Sequence, residues 1–178
     1  MNRKTLRAIT VLGMFGAGAI FAADTDKSKA GKVTVIFDHP ETFADVKEFY
    51  MPTEKGRDAL LDQIRQFIET RAASYLGAGQ SLEVKFTEID LAGEFEPQLG
   101  PGYNHVRIMK DIYAPRFDLE FKLTGADGKV LSEGKRKLRD SFYLNRMVLD
   151  RSEPLCYEKD MLSDWIRDDI KFKARAAH

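Results

Sequence analysis

Leu82–Pro97 reads LEVKFTEIDLAGEFEP, and the point where its alternation fails decides the fold. Leu82, Val84 and Phe86 alternate with Glu83, Lys85 and Thr87, the period of a strand with one buried face. Continued strictly, that alternation would turn Glu88 and Asp90 to the core and Ile89 and Leu91 to solvent. A slip of one residue reverses every side chain, so a bulge at Thr87 or Glu88 is the simplest repair and returns Ile89 and Leu91 to the core. The competing repair leaves Asp90 facing inward, where a carboxylate needs a partner. Arg136 is the candidate for that pair. The bulge is preferred, and it makes DLAGEFEP chiefly architectural.

Working outward, Phe117, Leu119, Phe121 and Leu123 alternate with Asp118, Glu120 and Lys122, a second one-sided strand. Gly125-Ala126-Asp127-Gly128 predicts a hairpin turn, with the return strand over Lys129 to about Asp140. Pairing Thr124 with Lys129 sets Leu123 against Val130, Phe121 against Ser132, Leu119 against Gly134 and Phe117 against Arg136. Arg136 then lies on the apolar face, where its guanidinium snorkels to water at the sheet margin. Upstream, Lys32–Asp38 (KVTVIFD) predicts a strand buried on most of both faces, and residues 42–47 a short helical turn, with Phe43 and Tyr50 pinning that connection. His105–Lys110 predicts a short strand.

Leu60, Leu61, Ile64, Phe67, Ile68, Ala72, Tyr75 and Leu76 recur every three or four positions, predicting a helix from about Thr53 to Leu76 with Gly77 as its stop. Ser152 and Pro154 suit the start of a terminal helix with Glu158, Met161, Leu162, Trp165, Asp169 and Phe172 on one side. The order predicts an α+β domain: two layers, a mainly antiparallel sheet, and two long amphipathic helices on one face.

At the N-terminus Arg3, Lys4 and Arg7 precede an uncharged apolar run, Ala8–Phe21, and the small residues Ala22 and Ala23. This pattern predicts a secretory signal peptide over residues 1–23, because a run of 14 residues is short for a bilayer span of about 20. Residues 24–32 then form a flexible tail, 33–173 one domain, and 174–178 a frayed C-terminus. After cleavage 25 Lys and Arg face 28 Asp and Glu, a formal charge of −3, which argues against nucleic acid as the partner. No stable membrane insertion is expected once the signal is removed. The lone Cys156 cannot form an internal disulfide and reads as a small buried hydrophobe.

Four runs carry a family likeness: DLAGEFEP (Asp90–Pro97), DIYAPRFDLEF (Asp111–Phe121), EGKRKLRD (Glu133–Asp140) and YEKDMLSDW (Tyr157–Trp165). Here the chain resembles a family of secreted bacterial proteins catalogued as domain of unknown function 3016, from about Val33 to Trp165. The resemblance implies a periplasmic or secreted location in a Gram-negative bacterium. It implies no activity, so no catalytic residue follows from it.

Catalytic motifs are missing: there is no H-E-x-x-H, G-x-S-x-G or P-loop, and only His39, His105 and His178 offer imidazoles. No cofactor and no metal site is expected, and the question of an enzyme leans to no. The candidate binding residues are Asp90, Glu94, Glu96 and Asp111, which could also serve as an acid/base set, with Tyr103, Tyr113 and Arg116 beside a Gly/Pro-rich loop. Ion pairs of these acids with Arg107, Arg116, Arg136 or Arg139 are the structural alternative. The expected function is a non-catalytic binding or accessory protein of the bacterial envelope, its partner an envelope protein or a small ligand. A hydrolase using the acids around Asp90–Glu96, and a self-associating structural protein, are the alternatives.

Overall fold

The computed structural model describes residues 31–48, 51–148 and 150–176. The predicted signal segment, residues 24–30 of the predicted tail, Tyr50 and His178 lie outside them.

β1 (Lys32–Phe37) leads through α1 (Glu54–Ala73) to β2 (Ser81–Asp90), which lies parallel to β1. Parallel neighbours need a long crossover, and α1 supplies it. Thr53 caps α1, its Oγ1 accepting from the Gly56 N–H at 3.0 Å, and Leu61, Ile64, Ile68 and Ala72 bury the expected stripe. β2 then pairs antiparallel with β5 (Arg116–Thr124), and β5 with β6 (Val130–Arg139), giving the order β1-β2-β5-β6. Between β2 and β5 the chain inserts a two-stranded ribbon, β3 (Glu94–Phe95) and β4 (Arg107–Ile108).

The register of β2 against β5 shifts between Phe86 and Glu88, so the bulge lies at Thr87. It restores Ile89 opposite Phe117, and Ile89 and Leu91 are buried. The core layer is aromatic: Phe86 meets Phe117 edge-on at 5.7 Å, and Phe121 meets Trp165 at the same separation. Each such ring contributes roughly 1.5–3 kcal/mol through burial.

Several expectations are corrected. The sheet is mixed, and among the described residues only α1, at 20 residues, is a long helix, so the two long amphipathic helices expected are not both found there. α2 (Cys156–Trp165) has 10 residues and gives way to a π-helical segment, Ile166–Lys171, before the short α3 (Phe172–Ala176). The wider π turn re-aims the stripe. Ile166, Ile170 and Ala174 enter the core, while Phe172 is 59% exposed and Asp169 swings to Arg136. Gln80 fastens this end, its Nε2 donating to the Ala174 carbonyl at 3.0 Å.

The β5–β6 register is two residues from the expected one: Leu123 faces Ser132, Phe121 faces Gly134, Leu119 faces Arg136 and Phe117 faces Leu138. An irregularity at Leu123/Thr124 and a wider turn, closed by the Gly125 N–H donating to the Lys129 carbonyl at 2.8 Å, account for the offset. β1 is covered on its α1 face, where Val35 is buried, and Ile36 on the other face is 39% exposed. The helical turn expected over 42–47 is instead a 3₁₀ turn at Pro40–Thr42, and α2 starts at Cys156, two residues past Pro154, without a side-chain cap. No helix among the described residues is long and apolar enough to cross a membrane.

Candidate functional site

Beyond the bulge, β2 outruns β1, and the loop after β1 takes the vacant side. The Asp45 N–H donates to the Ile89 carbonyl at 3.3 Å, and the Leu91 N–H to the Asp45 carbonyl at 3.2 Å. Gly93 turns the chain with φ +77°, its N–H donating to the Tyr113 carbonyl at 2.9 Å. Residues 90–95 thus form a wall with a hollow on each side.

The larger hollow, about 540 Å³, lies between this wall, the β3–β4 ribbon and the start of α2. Leu60, Leu91, Phe95, Met109 and Leu155 give it an apolar lining, and Arg107, His105 and Glu158 are its polar groups nearest the ribbon and helix. Arg107 is the clamp. Its Nη1 donates to Asp45 Oδ2 at 2.5 Å and to the Gly93 carbonyl at 2.9 Å, and its Nη2 to the Lys47 carbonyl at 2.9 Å. The guanidinium also stacks 4.7 Å from the Phe95 ring centre. Asp45 is 2% exposed, and Lys47 Nζ bridges it, at 3.3 Å, to Glu94 at 2.9 Å. A buried carboxylate is tolerable only with such partners.

Glu158 stands in the first turn of α2, 3% exposed, its Oε1 accepting the Ala92 N–H at 2.7 Å. Burial pushes its pKa above the ordinary carboxylate value of 4.5, against the opposing Ala92 N–H and Arg107. The folded protein therefore holds this proton more tightly than the unfolded chain does, so stability falls as pH rises from about 4.5 upward. Glu158→Gln keeps an acceptor for Ala92 and removes the ionisation. Its melting temperature, relative to the parent, should climb by a few degrees between about pH 5 and pH 8. A difference that stays flat with pH would refute the assignment.

Next to it, Cys156 is free and buried, and burial followed by the Glu158 charge raises its thiol pKa, the opposite of an activated nucleophile. Leu155 before it holds φ +59°, a rare conformation for a bulky residue, at the edge of the hollow.

The smaller hollow, about 160 Å³, is lined by Asp90, Glu94, Tyr113 and Arg116, four of the predicted residues, together with Arg139. Asp90 pairs with Arg116 at 3.3 Å, and Arg136 instead forks onto Asp169 at 2.7 and 2.8 Å. The Asp90–Arg136 pair is therefore not formed, because the π segment delivers a nearer carboxylate to Arg136. Burial raises the Asp90 pKa against the pull of Arg116; for Glu94 burial acts the same way, but Lys47, the Phe95 N–H and Arg107 together outweigh it and lower the pKa. Glu96 is buried away from both hollows, accepting from the Tyr113 hydroxyl at 2.7 Å and from Lys110. Tyr103 and Asp111 are exposed on the insertion and line neither hollow.

Asp45, Arg107 as a clamp, and Glu158 were not singled out from sequence as site residues. Glu158 carried a signal: an acid on the same helix side as Met161, Leu162 and Trp165. Asp45 carried none, since its burial depends on β2 outrunning β1. Among the described residues no group of three His, Cys, Asp or Glu side chains is placed to hold a metal ion.

Compared with curated proteins and with solved structures, the chain matches none. A family model described as "Protein of unknown function (DUF3016)" matches residues 31–168. That span holds β1 through the first half of the π segment, both hollows and the wall between them, and the chain belongs to the DUF3016 family.

Proposed function

We propose that this protein is an exported, non-catalytic binding module of the bacterial envelope, and that the hollow of about 540 Å³ receives a compact, partly apolar ligand. The observation carrying this is the lining. Phe95, Met109, Leu60 and Leu155 offer apolar contact beside a rigidly clamped guanidinium and a buried carboxyl, the mixture that binds and orients small molecules. The signal-like N-terminus and the absence of catalytic motifs support the envelope and non-catalytic parts.

Ligand-observed NMR with a fragment collection tests the site, using Ser152→Trp to fill the mouth of the hollow from an exposed position. Fragments that compete with one another and lose binding in the variant are expected. No binders, or binders indifferent to the variant, would overturn the reading.

A second reading, a hydrolase, draws on one observation: Asp90 and Glu94 share the smaller hollow with their acidities pushed in opposite directions, the pattern of an acid/base pair. It ranks second because Arg116 already occupies Asp90 and the hollow has only about 160 Å³. Turnover in a hydrolase panel that Asp90→Asn abolishes would reverse the order.

A further inference from the structure

The two edges of the main sheet are treated differently by the sequence. β6 carries Lys135, Arg136, Lys137 and Arg139 along its second half, the kind of charge that keeps an edge strand from pairing. β1 has no charge between its ends: KVTVIF is followed by Asp38.

The β1 edge is open in a defined way. The Lys32 N–H donates to the Gln80 carbonyl and the Asp38 N–H to the Phe86 carbonyl, so in the parallel ladder the even-numbered residues face β2. The N–H and C=O groups of Val33, Val35 and Phe37 consequently point outward. Among the described residues none of these three makes a backbone bond outside the β1–β2 ladder. Beside them runs a groove of about 510 Å³ between β1 and α1, with Val35, Phe37 and Leu61 along it and Asp62 and Arg65 at the helix side.

We propose that this edge pairs with β1 of a second copy of the chain, antiparallel about a twofold axis at Val35, joining the two sheets into one of eight strands. The outward groups of Val33, Val35 and Phe37 then become the hydrogen-bonded positions, Val35 facing its own copy and Val33 facing Phe37. On the open face Thr34 lies opposite Ile36, small against large, and Lys32 opposite Asp38 of the other copy. That opposition of charge occurs twice, because the interface is isologous. Only the antiparallel arrangement creates it; a parallel pairing in register sets Lys32 against Lys32. The partner's Val33, Val35 and Phe37 side chains fall on the helix side, where the groove has room for them. The pairing is independent of the ligand reading.

Sedimentation of the purified protein over a dilution series is the first test, and a dimer that dissociates on dilution is expected. Ile36→Lys, at an exposed position on the open face, should leave a monomer with unchanged circular dichroism and melting. Thr34→Cys/Ile36→Cys should give a covalent dimer on mild oxidation, since non-hydrogen-bonded antiparallel pairs stand about 4.5 Å apart at Cα, within disulfide reach. Each single cysteine variant should not, which also controls for Cys156. A monomer at every concentration, a dimer indifferent to Ile36→Lys, or equal crosslinking in the single variants would overturn the proposal. So would the capture of another protein's extended segment at this edge by a chain that stays monomeric.

Discussion

Arg107→Met should lower the unfolding free energy by about 3 kcal/mol, read as a fall in the urea midpoint at unchanged slope. Methionine keeps the stem over Phe95 but removes every donor. Asp45 then stays buried with only the Lys47 ammonium, and the carbonyls of Gly93 and Lys47 each lose a charged partner. Much of that cost is the stranded carboxylate, not the pair itself, so Arg107→Met/Asp45→Asn should recover part of it. Additive losses in the double variant would show that the two side chains act separately. A loss below about 1 kcal/mol would place the clamp with ordinary surface ion pairs.

Gly93→Ala should be comparably damaging, about 3 kcal/mol. Holding a non-glycine residue at φ +77° costs about 1–2 kcal/mol. The new methyl would also stand 2.6 Å from Met109 Sδ, 2.9 Å from Arg107 Cγ and 3.0 Å from the Ile108 carbonyl oxygen, the last of these backbone that cannot step aside. The wall and the ribbon would have to separate, disturbing the Arg107 clamp as well. Gly128→Ala is the control: its φ is +80°, but nothing lies within 4 Å of the added methyl. It should carry the conformational cost alone, about 1–2 kcal/mol. Equal losses at the two glycines would mean that the wall is pliable and the steric argument wrong.

Much of the wall was legible in LEVKFTEIDLAGEFEP. The failed alternation confined the bulge to Thr87 or Glu88, because a buried face leaves no other way to keep Ile89 and Leu91 inside, and the structure has it at Thr87. Asp90, Glu94, Tyr113 and Arg116 were named together and do line one hollow. Glu96, Tyr103 and Asp111 were named with them and lie elsewhere, since local sequence does not say how a 25-residue insertion between β2 and β5 folds back. The hairpin register was missed by two residues because turn chemistry marks where a turn lies without fixing how many residues it spends.

The periodicities of α1, β2 and β5 are properties of consecutive residues, each set by which side chains can reach a common face; sequence alone therefore determined those elements and the bulge that reconciles them. The family likeness and the predicted export signal are likewise read from the chain. What tertiary structure decided are the pairings between segments far apart: Arg107 with Asp45, Arg136 with Asp169, and Glu158 with Ala92. A π turn inserted after Trp165 redirected the last helix, and β1 became an edge with one open row of backbone groups. Such choices are made by burial and by competition among several possible partners for each charge, and that competition exists only once the layers are packed.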